Sequence, residues 1–165
     1  MVVEPGCSRR RALGAACLLA LSGCALPPPT GEPDWAVWRG RLAMTIHSTP
    51  AESVQAGFEL RGDASQGQLL LLTPIGTTAA SADWTPHHAT VRRGNDAQSF
   101  TDTQTMMVAL TGAPLPLDAL FDWLQARSTA VAGWSVDLGA PPLRRLVAKR
   151  TDPQPALTLR VVLNP

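Results

Sequence analysis

The fold class of this chain follows from two short segments, GRLAMTI at residues 40–46 and VQAGFELR at residues 54–61. Apolar and polar side chains alternate in both segments with a period of two, which is typical of a strand with one buried face. Between them, Thr49-Pro50-Ala51-Glu52 has the composition of a turn. The pattern predicts an antiparallel hairpin whose interior face carries Leu42, Met44, Ile46, Val54, Ala56, Phe58 and Leu60.

Six further segments have the composition of strands, with a turn at Thr85-Pro86-His87-His88. They are predicted at residues 67–73, 77–84, 89–93, 134–138, 143–149 and 157–163. The first of them contains four consecutive leucines, which hide the alternation. We place Leu70 and Leu72 on the interior face, and a shift of one residue would place Leu69 and Leu71 there instead.

Two helices are predicted between the third and fourth of these segments. The first begins at a cap formed by Asp102 or Thr103 and ends at Gly112, and the second begins at Pro116. Their apolar side chains include Met106, Met107, Leu110, Leu117, Leu120, Phe121 and Leu124. Because the connections between strands are short, the predicted class is α+β, a single domain with an antiparallel sheet.

The first 24 residues have the features of an export signal. Arg9-Arg10-Arg11 precede an apolar run at residues 12–21, which is too short to span a bilayer. Leu21-Ser22-Gly23-Cys24 is similar to the lipobox of bacterial lipoproteins, in which the cysteine is lipidated and becomes the first residue. The alternative is an ordinary secretory signal with a cysteine near the cleavage site. We expect a signal peptide at residues 1–23 and a lipid on Cys24.

The remaining 142 residues have the size of one domain. Residues 24–34 are rich in proline and predict an extended tether, and residues 35–165 form the predicted domain. At its start, Trp35 and Trp38 have helical i,i+3 spacing. Cys24 is the only cysteine after the signal, so no internal disulfide is expected. With 11 basic against 12 acidic residues after the signal, nucleic acid is not an expected partner.

The sequence contains no pattern typical of a catalytic or cofactor site. It has no Gly-rich phosphate loop, no Cys-x-x-Cys and no Gly-x-Ser-x-Gly motif. His87 and His88 are adjacent, so on a strand they point to opposite faces and do not form a metal-ligand pair. Asp118 and Asp122 have the i,i+4 spacing of a carboxylate pair, and a solvated helix face explains them as well. We therefore predict neither an enzyme nor a cofactor.

Five motifs, taken in order, carry a family resemblance. They are GRLA at 40–43, AGF at 56–58, LLTPIGTT at 71–78, LTGAPLPL at 110–117 and LFDWL at 120–124. The ordered set resembles the LolB family of outer-membrane lipoproteins. That resemblance implies a strongly curved, unclosed antiparallel sheet, or half-barrel, in which helices form a lid over an apolar cavity for acyl chains.

The resemblance also implies a function and partners. Family members accept lipoproteins from the periplasmic carrier LolA and insert them into the outer membrane. The expected partners are a LolA-like carrier, acylated lipoprotein cargo and, through Cys24, outer-membrane lipid, with the chain facing the periplasm as a monomer. Two alternatives remain open: a lipocalin-like binder of a small apolar ligand and a structural lipoprotein of the envelope. A periplasmic hydrolase is the third competing class, but the sequence shows no nucleophile paired with a base.

Two sites are predicted on this basis. The acyl-chain cavity is assigned to Leu42, Met44, Ile46, Ala56, Phe58, Leu60, Leu70, Leu72, Met106, Met107, Leu110, Leu120, Phe121 and Leu124. Met106 and Met107 fit a plain core as well as an adaptable binding surface. The second site is the turn Pro74-Ile75-Gly76, where a single large apolar residue stands between turn formers. Ile75 either protrudes, as the membrane-inserting residue that the resemblance implies, or folds back onto the core.

Overall fold

The computed structural model describes residues 35–165 of the chain. The predicted signal peptide, Cys24 and the tether at residues 24–34 lie outside the described residues. Nine strands and two helices follow one another in the described part. They are β1 (Val37–Ile46), β2 (Glu52–Gly62), β3 (Gly67–Leu72), β4 (Thr78–Thr85), β5 (His88–Arg93), β6 (Asp96–Phe100), α1 (Thr103–Thr111), α2 (Leu117–Leu124), β7 (Trp134–Asp137), β8 (Arg145–Arg150) and β9 (Leu157–Leu163).

All nine strands form one antiparallel sheet. Their order is β6-β5-β4-β3-β2-β1-β9-β8-β7, so the first six strands are neighbours in chain order and β9 returns to pair with β1. The two ends of this order, β6 and β7, are not paired with each other in the described residues. The sheet is therefore unclosed, and the predicted α+β half-barrel is confirmed.

The interior face of the sheet is set by the hairpin that opens the domain. In β1 and β2, Gly40 lies opposite Phe58, and Leu42 lies opposite Ala56. Met44 and Leu60 are buried on this face. On β9, Leu159 and Val161 continue the same buried face beside Met44 and Leu42. The alternation with period two therefore predicts the interior face of these strands correctly.

The helices cover this face. Asp102 caps α1, as one of the two predicted caps, by accepting a hydrogen bond from the Thr105 backbone N–H at 2.7 Å. Gly112 ends the helix in the left-handed conformation at φ 82°, where a side chain would be strained. Leu117 begins α2 after Pro116, as predicted. In the described part of the chain, neither helix is long and apolar enough to cross a membrane.

Two local predictions differ from the structure. Helical spacing at Trp35 and Trp38 does not produce a helix, because Trp38 lies in β1 and packs edge-on against Phe121, with ring centroids 5.5 Å apart. A strand serves this packing, since it puts Trp38, Gly40 and Leu42 on one face. Strand β6 was not predicted. Its residues are exposed except for the half-buried Phe100, so it has no apolar alternation to detect.

Candidate functional site

The sheet and both helices enclose one apolar cavity of about 50 Å³. Strands β1, β2, β3 and β9 form its floor, and α1, α2 and the segment between them form its roof. The lining residues are Leu42, Met44, Val54, Phe58, Leu60, Leu69, Leu71, Met107, Leu110, Thr111, Leu115, Leu120, Leu124, Leu159 and Val161. Thr111 is the one hydroxyl among them, and it donates to the Met107 carbonyl at 2.7 Å. The wall therefore offers no unpaired polar side chain to water or to a polar ligand.

Most residues predicted for the cavity lie in or around it. The predicted residues that line the space are Leu42, Met44, Phe58, Leu60, Met107, Leu110, Leu120 and Leu124. Ile46, Met106 and Phe121 are buried in the surrounding core, and Ala56 is half-buried against that core. These four residues support the wall without lining the space. Their part in binding acyl chains, like that of the lining residues, stays a prediction.

The predicted phase of β3 is wrong. Leu69 and Leu71 are buried, with 5% and 8% of their surface exposed, and both line the cavity. Leu70 and Leu72 are half-buried on the opposite face. The reason lies in the pairing with β2, where Leu69 is opposite Leu60, Leu71 is opposite Phe58 and Leu70 is opposite Glu59. Four leucines in a row carry no alternation, so the neighbouring strand decides which of them face inward.

Val54 also lines the cavity, and the sequence predicted it on the interior face of the hairpin. Besides Val54, Leu69 and Leu71, four lining residues were not assigned to the cavity from the sequence. Leu115 lies in the proline-rich segment between the helices, which has no periodicity to interpret. Thr111 is polar and ends α1. Leu159 and Val161 lie on β9, whose alternation was detectable, but the pairing of β9 with β1 that brings them to the cavity is not evident from the sequence. A return of the last strand to the first is a long-range feature that local patterns do not contain.

The enclosed space is small for a ligand site. Sites for small molecules have volumes of about 300–1,000 Å³, so the cavity of about 50 Å³ is closed to ligands of that size in this structure. Aromatic contacts hold α2 in this position, since Phe121 packs against Trp38 at 5.5 Å and against Trp84 at 6.2 Å between ring centroids. A larger ligand would fit only if α1 and α2 moved away from the sheet.

The segment after α2 is held by one carboxylate. Asp122 accepts hydrogen bonds from the Thr129 hydroxyl and from the Arg127 guanidinium, with the Arg127 Nε at 3.1 Å. The Thr129 hydroxyl, followed by Arg127, lowers the pKa of Asp122 below its ordinary value. The Thr129 carbonyl in turn accepts from the Trp123 indole at 2.9 Å. This network holds the end of α2 in place. The hydrogen bonds of Asp122 therefore serve the local structure.

We expect Asp122→Asn to lower the thermal midpoint at neutral pH, because the amide cannot replace a charged acceptor. A lowered folded pKa contributes stability that is complete above the unfolded value near 3.9 and is lost as pH falls through the folded value. The difference in midpoint between the two proteins should therefore shrink between pH 5 and pH 2.5. Calorimetry at several pH values measures it, with Arg127→Gln as a second variant that removes the same ion pair. A difference that stays constant with pH would contradict this assignment.

Other carboxylates lie on the outer surface. Hydrogen bonds from Arg39, at 2.7 Å, and from Arg61 lower the pKa of Glu59 on the polar face of β2. The backbone N–H of Thr105 lowers the pKa of Asp102 at the start of α1. These pairs face solvent, where ion pairs contribute little to stability. The residues that line the cavity include no charged side chain.

The histidines have ordinary polar surroundings. The His88 ring lies 2.8 Å from the Thr90 hydroxyl, and the His47 ring lies 3.1 Å from the Thr158 hydroxyl. Within residues 35–165, no three histidine, cysteine, aspartate or glutamate side chains converge in a way that could hold a metal ion.

The loop between β3 and β4 projects from the sheet. The Gly76 N–H donates to the Thr73 carbonyl at 2.9 Å, the Thr73 N–H donates to the Thr77 carbonyl at 2.8 Å, and the two threonine hydroxyls lie 2.8 Å apart. Gly76 has φ 84°, which a tight turn of this kind needs at its last position. These bonds make a rigid turn with Ile75 at its tip, and 86% of the Ile75 surface is exposed.

A groove lies beside this loop. Pro74 and Gly76 line it on one side, and Arg41, Leu42 and Ala56 line it on the other. Leu42 also lines the cavity. The groove and the cavity share no other lining residue, and the role of Ile75 in membrane insertion stays a prediction.

Comparison with known proteins gives one consistent family. The family model described as outer membrane lipoprotein LolB matches residues 34–148. The outer-membrane lipoprotein LolB of Bordetella petrii is 36% identical over 121 residues, which cover 70% of this chain and 61% of that protein. The proteins of the same name from Bordetella pertussis and Cupriavidus necator are each 27% identical, over 89% and 96% of this chain and 88% and 97% of their own lengths.

Proposed function

Because the chain belongs to the LolB family, we propose that it is a receptor at the outer membrane that accepts lipoproteins from a LolA-like periplasmic carrier and inserts them into that membrane. Acyl chains of the cargo enter the cavity between the sheet and the two helices. The loop with Ile75 brings the open end of the cavity to the lipid, where the chains leave.

The observation that carries this proposal is the composition of the cavity wall. Fourteen of the fifteen lining residues are apolar, and the hydroxyl of Thr111 is already bonded. A lipoprotein with three fatty chains has on the order of 45 methylenes, each of which costs about 0.8 kcal/mol to expose to water. Its passage through the periplasm therefore needs an unbroken series of apolar surroundings. A wall of this composition supplies one of them.

Acceptance requires a change from the closed state. The roof segment between α1 and α2 contains Gly112, Pro114 and Pro116, where few backbone hydrogen bonds resist a movement. As cargo chains enter, they replace the contacts that Leu120 and Leu124 make with the sheet, so apolar surface stays covered throughout. The exchange is close to neutral in free energy, which allows both uptake and release. No covalent bond forms or breaks, and we propose no catalytic activity.

Attachment at the membrane is assigned to the residues before the domain. A lipid on Cys24 would hold residues 35–165 at the outer membrane, and the proline-rich residues 24–34 would serve as a spacer. A single apolar tip such as Ile75 is worth only about 1.5–3 kcal/mol of burial. The lipid therefore keeps the protein at the membrane, and the loop orients the domain against the membrane surface.

Depletion of the protein in its own cells tests the proposed function. Acylated lipoproteins should accumulate on the soluble carrier and disappear from the outer membrane, and re-expression of the unaltered chain should reverse both changes. If lipoproteins reach the outer membrane at an unchanged rate during depletion, the receptor role is wrong. If they are mislocalised without any accumulation on the carrier, a structural envelope role takes its place.

The cavity itself is tested by a pair of neighbouring variants on β3. We expect Leu71→Gln to weaken binding of a fluorescent fatty acid at least fivefold, because an unpaired buried amide opposes an apolar ligand by about 1–3 kcal/mol. Leu70→Gln, one residue away on the opposite face, should change binding less than twofold. Titrations are made below both thermal midpoints, so that only folded protein is compared. Equal effects of the two variants would contradict the cavity as the acyl-chain site.

A further inference from the structure

A second concave site lies outside the apolar cavity, between the first residues of α1, the first residues of α2 and the end of β8. Its centre is Arg150, the last residue of β8, whose side chain is only 3% exposed. Arg150 lies on the interior face of the sheet, between Trp134 of β7 and Leu157 of β9. A charged side chain at such a position has lost nearly all of its hydration, which is costly unless a partner replaces it.

The guanidinium of Arg150 has incomplete partners. Its Nη2 donates to the Pro155 carbonyl at 2.9 Å, and its Nη1 donates to the Pro114 carbonyl at 3.4 Å. The Trp134 ring lies 6.0 Å from the guanidinium carbon, at the outer limit of a cation–π contact. The buried Nε has no acceptor. Among residues 35–165, no carboxylate lies within 4.0 Å of this arginine.

A cleft of about 430 Å³ adjoins this side chain. Thr103 and Gln104 of α1 contribute a hydroxyl and an amide to its wall, and the backbone at Leu117 and Asp118 contributes the start of α2. The first N–H groups of any helix have no intrahelical acceptor. In α2 the N-cap residue, Pro116, supplies no side-chain acceptor for them either. Hydrogen-bond donors and the positive end of a helix therefore surround the same space as the buried cation.

The remaining wall is apolar or acidic. Leu115, Val131 and Trp134 provide apolar surface, and the exposed Asp118 and Asp152 stand at the rim. Two carboxylates at the rim repel a multiply charged anion such as phosphate. A single carboxylate with an apolar body has less charge for the rim to repel, matches the planar fork of the arginine and covers the apolar wall.

We propose that this cleft is a binding site for a singly charged organic carboxylate with a small branched apolar body, held by Arg150 and the start of α2. The group has two sources, a small free acid or the carboxyl end of a peptide chain. The inference does not depend on the acyl-chain cavity, because the two sites share only Leu115.

Nuclear magnetic resonance titration of the full chain tests the site, with 4-methylpentanoate as the free acid and N-acetyl-L-leucine as the peptide end. The Trp134 indole N–H and the Arg150 Nε–H are the reporters. We expect saturable shifts with the two acids and none with N-acetyl-L-leucinamide, which has the same body without the charge. Tenfold tighter binding of N-acetyl-L-leucine would identify a chain end as the source, and equal or weaker binding would identify a free acid.

Two arginine variants on β8 distinguish binding at Arg150 from nonspecific attraction of the acids to positive charge. Arg150→Met should weaken the acids at least tenfold without lowering the thermal midpoint, because an apolar side chain of similar size suits a buried position. Arg145→Met, on the exposed face of the same strand, should bind them as the unaltered chain does. If Arg150→Met does not fold, Arg150→Lys keeps the charge without the fork and should still bind at least threefold more weakly. Absence of saturable binding, equal binding of the amide, or unchanged binding by the folded Arg150 variant would overturn the proposal.

Discussion

Replacing Ile75 by glutamate is expected to leave uptake of lipoproteins from the carrier intact and to slow their release into liposomes at least tenfold. Ile75 contacts water rather than the core, since 86% of its surface is exposed. The turn beneath it is held by backbone bonds between Thr73, Gly76 and Thr77, which the substitution does not remove. Folding stability should therefore change by less than about 0.5 kcal/mol, as for other surface substitutions.

The expected slowing of release follows from the free energy of burying Ile75 in the membrane. Burial of an isoleucine side chain in lipid is worth about 1.5–3 kcal/mol, which corresponds to a factor of about ten to one hundred and fifty in the population of the docked state. Glutamate removes this contribution and adds a charge that resists transfer into lipid. The cavity is untouched, so only the step at the bilayer should suffer.

A matched control is available at Val37, which is also an exposed aliphatic residue but lies on a strand. Val37 begins β1 and does not line the groove beside the loop, which the strand reaches at Gly40, three residues further on. Val37→Glu should therefore release cargo at the unaltered rate. Normal insertion by the Ile75 variant, equal loss in both variants, or loss of uptake instead of release would contradict the role assigned to the loop.

The second large effect is expected at Gly40. A Cβ atom built there would lie 2.0 Å from the Val162 carbonyl oxygen and 3.0 Å from the Leu163 Cα, both in the backbone of β9. Gly40→Ala must push the last strand away from β1, so we expect unfolding free energy to fall by about 1–3 kcal/mol, the range of an overpacked core. Urea unfolding of both proteins measures the loss.

Gly57 provides the comparison, since it lies opposite Arg41 in the neighbouring strand. A Cβ atom there would meet the Leu72 Cβ at 3.3 Å, so Leu72 needs to shift by only a few tenths of an ångström. Gly57→Ala should change stability by less than about 1 kcal/mol, because relief of glycine's conformational entropy offsets the tighter contact. Equal losses in the two variants would show that β9 does not approach Gly40 as closely as described.

Sequence patterns predicted the fold where local periodicity and turn chemistry agree. The hairpin of β1 and β2, the cap at Asp102 and the helix end at Gly112 each depend on residues within a few positions of one another. Strand β6 lacks such a signal, since nearly all of its residues are exposed. Trp38 shows the opposite case, in which apparent helical spacing is overruled by packing against Phe121 on a distant helix.

The candidate site was predictable to the same degree. Leu42, Met44, Phe58 and Leu60 follow from alternation, whereas the choice between Leu70 and Leu71 depends on pairing with another strand. The exposed tip at Ile75 was one of two alternatives that the turn composition allowed. The volume of the closed cavity and the buried Arg150 are set by tertiary packing, which no local pattern contains.

Transfer between purified components tests directly whether the cavity accepts lipoproteins from the carrier. A carrier loaded with a triacylated lipoprotein is mixed with an unlipidated Cys24→Ala form of this chain, and the cargo on each protein is measured after separation. Uptake depends on the cavity and not on the anchor, so most of the cargo should move to this chain, and liposomes added afterwards should receive it. Cargo that stays on the carrier while the acceptor remains folded would contradict the proposed receptor function.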